Sequence, residues 1–211
     1  MSWRRMLFFV FILSCGVPSA RAQRTYEVTP FIGTRFGGKI DVATSTIDHI
    51  NIKSGIDYGV IGDVSIWPNF DFEFMWNRQP TTLSAHSSVD GSITQLTNAN
   101  LDMYQFGMSY AFRSPEAKLK PFFATGLGFT HFGQDHQVLA FTDRFSYNVG
   151  GGLKYFFDRH VGLRLETRYS PSHTTSRNAI VCNPFFGFCS QATVANKAQQ
   201  GQANVGLIFR F

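Results

Sequence analysis

The sequence predicts an all-β chain, an eight-stranded antiparallel up-and-down transmembrane β-barrel, and three observations carry that prediction. After residue 22 no stretch keeps a 3.6-residue apolar period, whereas eight segments of about ten residues alternate apolar and polar side chains at period two. Ten residues is the length with which a tilted strand crosses a bilayer. The connections between those segments alternate long and short: 37–54 then 68–69, 80–100 then 113–120, 133–143 then 158–160, and finally 170–200. Short turns at one end and long loops at the other are the pattern of a barrel with periplasmic turns and surface loops. Finally, the apolar faces are crowded with Phe, Tyr and Trp, while the opposite faces carry Gly, Ser, Thr and Asn. A soluble lipocalin-like barrel would cover its outside with Lys and Glu, giving a more highly charged chain than the 16% found here.

The first strand, over 25–36, sets Tyr26, Val28, Pro30 and Ile32 against Glu27, Thr29, Gly33 and Arg35. Pro30 cannot donate to the ladder and weakens this strand slightly. The second, 55–67, places Ile56, Tyr58, Val60, Val64 and Ile66 opposite Asp57, Gly59, Asp63 and Ser65, and Pro68-Asn69 turns the chain into the third. In the third, 70–79, Phe70, Phe72, Phe74 and Trp76 alternate with Asp71, Glu73, Met75 and Asn77. The fourth (101–112), fifth (121–132), sixth (144–157) and seventh (161–169) repeat the pattern, with Gly107, Ser109, Gly126, Gly128, Gly150, Gly152 and Gly162 on the polar side. The eighth is the terminal stretch NVGLIFRF, in which Val205, Leu207, Phe209 and Phe211 oppose Asn204, Gly206 and Arg210, and Ile208 is an apolar residue expected to face the lumen.

Residues 1–22 read as a signal peptide: Arg4 and Arg5, then the apolar run 6–13, too short to span a bilayer, then Gly16 and Pro18, then Ala20-Arg21-Ala22. Cleavage after Ala22 leaves the barrel domain over 23–211. A retained anchor and lipoprotein processing at Cys15 are the alternatives. The formal charge of +5 includes three signal arginines and no signal acid, so the mature chain is near +2 and its basicity is no argument for nucleic acid. Cys15 leaves with the signal. Cys182 and Cys189 remain as an even pair in an exported protein, for which a local disulfide is the default and a metal site is not.

In a membrane barrel the strand charges are expected to point into the lumen, where an unpaired ion is costly. The acidic candidates are Glu27, Asp57, Asp63, Asp71, Glu73 and Glu166, and the basic ones Arg35, Lys154, Arg164, Arg168 and Arg210. Counting from the turns puts Asp63, Glu73, Lys154 and Arg164 at similar heights, so a charge network of Asp63, Glu73, Lys154, Arg164, Glu166 and Arg168 is expected, with Glu73 and Arg164 as its central pair. Such a network fills and rigidifies an interior just wide enough for side chains; the sharper alternative is a gate whose rearrangement opens a narrow water path.

The segments YEVTPFIGTRFGG, FEFMWNRQPTTL, KPFFATGLGFTHF, VGLRLETRY and VGLIFRF resemble bacterial outer-membrane barrels of the OmpA, OmpX and OmpW type, the outer membrane protein beta-barrel domain or porin family. The resemblance implies the outer membrane of a Gram-negative-type bacterium, with membrane lipid and lipopolysaccharide as surroundings. It also implies that Leu207, Phe209 and Phe211 form the terminal signal read by the outer-membrane assembly machinery.

For activity the sequence offers less. It has no G-x-S-x-G, H-E-x-x-H or P-loop. His173-Thr174-Thr175-Ser176 is only similar in kind to the His/Ser placement of lipid A deacylase barrels, and a Ser/Thr-rich loop explains it as well. His131, Asp135 and His136 could meet at a loop base around a metal, although solvated loop histidines are commoner. Cys182 and Cys189 would close a ring holding Phe185, Phe186 and Phe188 on a stiff knob, worth roughly 2 kcal/mol, so the 170–200 loop is the expected contact surface for an extracellular ligand. The expectation is therefore a non-enzymatic structural or loop-display barrel without cofactor or metal, with a narrow conduit for small solutes or apolar molecules as the alternative.

Overall fold

A computed structural model describes residues 24–43, 47–87, 93–112, 116–134, 143–173, 178–182, 189–194 and 197–211. Within them the wall is built from eight long strands: β1 (Tyr26–Gly37), β4 (Gly55–Trp67), β5 (Phe70–Ser87), β6 (Ile93–Ala111), β7 (Leu119–Gln134), β8 (Asp143–Phe156), β9 (Val161–His173) and β12 (Lys197–Arg210). Each pairs antiparallel with its neighbour in sequence order among these eight, and β1 pairs with β12, so the sheet closes with no free edge. Short strands β2 (Lys39–Ala43), β3 (Ile47–Ile52), β10 (Asn178–Cys182) and β11 (Cys189–Val194) extend the sheet at the long-loop end. The segments read as loops over 37–54, 80–100 and 170–200 thus carry strands as well. Period-two patterning reports a strand only where one face is apolar, and above the membrane neither face has to be.

Following directly paired residues once around the wall, from Tyr26 through Val64, Phe72, Met108, Thr125, Val149, Tyr169 and Gly201, returns to β1 at Phe36, ten residues beyond the start. With about 3.3 Å per residue and about 4.8 Å between strands, that stagger over eight strands tilts them by about 40°. Ten residues at that tilt rise about 25 Å, the height of an outer-membrane apolar band.

Side-chain exposure assigns the faces. Along β1 it alternates residue by residue, with Tyr26, Val28, Pro30 and Ile32 outside and Glu27, Thr29 and Phe31 inside. Outward aromatics ring the short-turn end: Phe70 packs on Trp67 (6.5 Å) and Tyr110 (4.7 Å), Tyr110 on Phe112 (5.2 Å), and Tyr155 on Phe157 (5.4 Å). Tyr104 stacks on Phe129 at 5.2 Å farther up the wall. The short turns are chemically specified. Asn69 adopts φ 74°, a left-handed conformation that Asn tolerates, to complete the turn after Pro68. Asp158 accepts the N–H groups of His160 (2.7 Å) and Val161 (2.8 Å) to form the turn into β9. The terminal residue is tied in too, because Phe211 N–H donates to Tyr26 O (2.9 Å) and Tyr26 N–H to Phe211 O (3.2 Å). The signal peptide over residues 1–22, Asp135 and His136 of the metal-site expectation, Thr174, Thr175 and Ser176, and Phe185, Phe186 and Phe188 lie outside the described residues.

Candidate functional site

Closing eight tilted strands leaves an interior that every second side chain must fill. The lower half, toward the short turns, is filled with ions. Lys154 on β8 reaches three carboxylates at once, Glu27 Oε2 at 2.8 Å, Asp63 Oδ2 at 3.0 Å and Asp71 Oδ2 at 3.3 Å. Those carboxylate oxygens could also converge on a metal ion. The ammonium already stands among them, and a metal would have to displace it.

One level up, Arg164 on β9 binds Asp63 Oδ2 through Nη1 (2.8 Å), Glu73 Oε2 through Nη2 (2.6 Å) and Glu166 Oε2 through Nε (2.8 Å). Its guanidinium also lies 4.6 Å from the centre of the Phe122 ring. Arg168, two pleat repeats higher on the same face of β9, joins Glu73 Oε1 (2.8 Å) and Glu166 Oε1 (3.0 Å). Asp63, Glu73, Lys154, Arg164, Glu166 and Arg168 therefore form one connected cluster, each of the six at most 4% exposed. The geometry explains the convergence: β4 and β5 leave their turn side by side with Asp63 paired to Glu73, and β8 and β9 do the same with Lys154 paired to Arg164. Two acids on one wall face two bases on the other.

The cluster continues to the mouth. Arg210 donates to Glu27 Oε1 at 2.7 Å and its guanidinium stacks 3.6 Å from the centre of the Phe156 ring, with Lys120 over the same ring at 5.0 Å. A cavity of about 250 Å³ opens there among Glu27, Asp71, Lys120, Lys154 and Arg210. The inward aromatics Phe122 and Phe156 share the parity of Gly126 and Gly152 on the lumenal face, but were not singled out because they are apolar residues on a face read as polar. Lys120 and Arg144, both buried, were also missed.

Above the ions, Phe31, Ile61 and Met75 pack together from β1, β4 and β5. Ile208 is fully buried in the lumen. Higher still, Asp57 Oδ2 accepts from Gln202 Nε2 (2.5 Å), Arg35 Nη2 stands 3.8 Å from that oxygen, and Arg35 Nη1 approaches Met103 Sδ at 2.7 Å. Across the lumen Asn148, Gln105, Ser146 and Thr130 are linked by side-chain hydrogen bonds. Near the long-loop end Leu83 and Leu101 are fully buried and Ile52 nearly so.

Not every strand charge points inward. Arg78 and Asp102 share the outward face with Phe74, Trp76, Tyr104 and Phe106, and bind one another through two bonds of 2.7 and 2.9 Å. His131, on the next strand, pairs instead with Asp143 at 2.8 Å. These outward ions stand two residues from the aromatic row Trp76, Tyr104 and Phe129 on each strand, on its long-loop side, as expected where an aromatic girdle gives way to headgroups. Cys182 and Cys189 are direct cross-strand partners in the β10–β11 hairpin.

Leu207 and Phe209 lie outward on β12, and Phe211 ends the chain beside Tyr26. Comparisons with known proteins agree with this architecture. The structure is similar to the outer membrane protein OprG from Pseudomonas aeruginosa, with TM-score 0.67 and 12% identity over 89% of this chain and 95% of that one. It is similar to the outer membrane protein AlkL (TM-score 0.57, 15% identity, 88% and 90% covered) and to Neisserial surface protein A (0.54, 15%, 89% and 97%). At such identities the likeness is one of fold. No curated protein matches the sequence. The model of the outer membrane protein beta-barrel domain matches residues 7–211, so this chain belongs to that family and is an outer-membrane β-barrel.

Proposed function

We propose that this protein is a non-enzymatic outer-membrane scaffold, which holds its long loops at the cell surface on a barrel whose lumen is closed by side chains. One observation carries the reading: the buried cluster from Arg210 through Glu27, Lys154, Asp63 and Arg164 to Glu73, Glu166 and Arg168 is continuous, with successive contacts of 2.6 to 3.0 Å. Ions bound that closely on both sides of an eight-stranded interior leave little section for a solute. Opening a path would separate buried charges from their partners, the costly direction for such pairs. The Arg78–Asp102 pair and the aromatic rows fit a body anchored at both interfaces, in contact with lipid and lipopolysaccharide.

A planar-bilayer recording tests the reading. The parent protein is expected to be silent. Steady conductance in the parent, abolished or altered when Glu73 is changed to Gln, would replace the scaffold with a narrow conduit. Release of acyl chains from lipid A by the purified protein would overturn the non-enzymatic assignment.

A further inference from the structure

The outward face of β5 and β6 changes character within three rungs. Trp76 pairs with Tyr104, Arg78 with Asp102 and Pro80 with Asn100, each rung about 7 Å of strand beyond the last toward the long loops. An aromatic girdle gives way to ions and then to an amide, so the wall here passes from acyl chains into the headgroups of the outer leaflet.

The ion pair at that border is not symmetric. Arg78 grips Asp102 through Nε (2.7 Å) and Nη2 (2.9 Å), which turns Nη1 away from the carboxylate. The Arg78 side chain is 42% exposed and that of Asp102 only 9%, so the pair shows its positive end to the surroundings. Farther toward the loops stands a second cation, Lys53, exposed just before β4. Its backbone is fixed to β5 by three bonds: the N–H donates to Thr82 O (3.1 Å), and the carbonyl accepts from Thr81 Oγ1 (2.7 Å) and Gln79 Nε2 (3.2 Å). Lys53, Ser54, Pro80, Thr82, Asn98 and Asn100 line an open groove of about 390 Å³. Small-molecule sites begin at about 300 Å³, so the groove has room for a sugar ring.

We propose that this groove binds the phosphorylated sugar headgroup of one lipopolysaccharide molecule. Arg78 and Lys53 hold a phosphate, the sugar lies in the groove, and the acyl chains run down over Trp76 and Tyr104. Charge complementarity selects this occupant. Two exposed cations against one covered carboxylate favour an anion, and the planar fork of Arg78 suits a phosphate. The hydroxyl and amide groups of Ser54, Thr82, Asn98 and Asn100 match the hydroxyls of a sugar. Depth selects the outer leaflet, whose glycolipid carries acyl chains, phosphate and sugar in one molecule. The same row of paired residues continues from Asp102 through His131 to Asp143, whose side chain is 64% exposed and would repel a phosphate. The site is thereby confined to the side of the wall formed by β4, β5 and β6. The assignment rests on the lipopolysaccharide contact proposed above, and it holds whether or not the barrel conducts.

Native mass spectrometry of the folded barrel, released from phosphatidylcholine nanodiscs, tests the site. Separate preparations are doped with lipid A, dephosphorylated lipid A or phosphatidylglycerol. The parent is expected to retain one lipid A and neither of the other two. Retention should fall about tenfold when Lys53→Gln and Arg78→Gln are combined. It should hold or rise in Asp102→Asn, which breaks the ion pair but leaves the phosphate ligand in place. A pair that served the wall alone would make Arg78→Gln and Asp102→Asn behave alike. No retained lipid A in the parent, equal retention of either other lipid, parent-like retention in the double variant, or a loss in Asp102→Asn overturns the proposal. The heat-modifiable gel shift reports folding; should the double variant lack it, Lys53→Gln alone, at an exposed position, carries the same test. Conductance is not read in this experiment, so the scaffold stands or falls separately.

Discussion

Arg164 and Glu73 stand 91 residues apart in the chain and meet inside the barrel at 2.6 Å, Nη2 to Oε2. The same guanidinium also holds Asp63 and Glu166. Replacing Arg164 with Met leaves three buried carboxylates, Asp63, Glu73 and Glu166, with only Lys154 and Arg168 to balance them, a loss expected to cost about 3–5 kcal/mol. Urea unfolding in lipid vesicles should show it as a lowered midpoint. Adding Glu73→Gln should restore part of the loss, because the second change removes the excess negative charge of the cluster. Equal stability of the parent and Arg164→Met would show that the cluster does not support the fold.

The Asp158 turn makes stability depend on acid. N–H bonds from His160 and Val161 favour the ionised carboxylate and hold its pKa below the ordinary 3.8. A lowered carboxyl contributes stability above the unfolded-state pKa and loses it as pH falls through the folded-state value. The parent should therefore exceed Asp158→Ala in stability near neutral pH, and the gap should close below about pH 4. Unfolding midpoints measured across that range give the answer; a gap independent of pH would contradict it.

The hairpin partners Cys182 and Cys189 occupy directly opposed positions, whose α-carbons are about 4.5–5.5 Å apart in antiparallel pairs. That spacing lies within the range of a disulfide. Protein isolated from the outer membrane is expected to take up a maleimide at neither cysteine until reduced. Reduction should leave the heat-modifiable shift of the barrel intact, since β10 and β11 lie beyond its wall. Labelling without reductant would remove the bridge.

Phe211 closes the barrel through its backbone and was read as part of an assembly signal. Deleting it removes two hydrogen bonds to Tyr26, which costs the folded barrel about 1–3 kcal/mol. If the signal reading is right, the larger effect will be on yield: less folded protein in the outer-membrane fraction, at an otherwise preserved barrel. Unchanged yield would leave Phe211 only its role in strand closure.

The sequence by itself determined the class, the eight crossing strands, and the lumenal face of each. A lipid surround forces a period-two segregation of apolar and small polar groups that is visible strand by strand, from Tyr26 and Glu27 to Phe209 and Ile208. The inward position of the six charged residues of the lower cluster was legible for the same reason. Glu73 and Arg164 were also expected together, from heights counted off the turns, and they meet at 2.6 Å. The other partners, such as Glu27 and Asp71 on Lys154, were not legible, because contact across a lumen depends on stagger, the ten-residue offset between Tyr26 and Phe36, and stagger is a property of the closed sheet. Only the tertiary structure placed Lys154 among three carboxylates, brought Phe122 and Phe156 beneath the cations, and joined Arg78 to Asp102 on the outside. Alternation is local and survives in one dimension; pairing across a barrel needs the closure that brings distant strands to a common height.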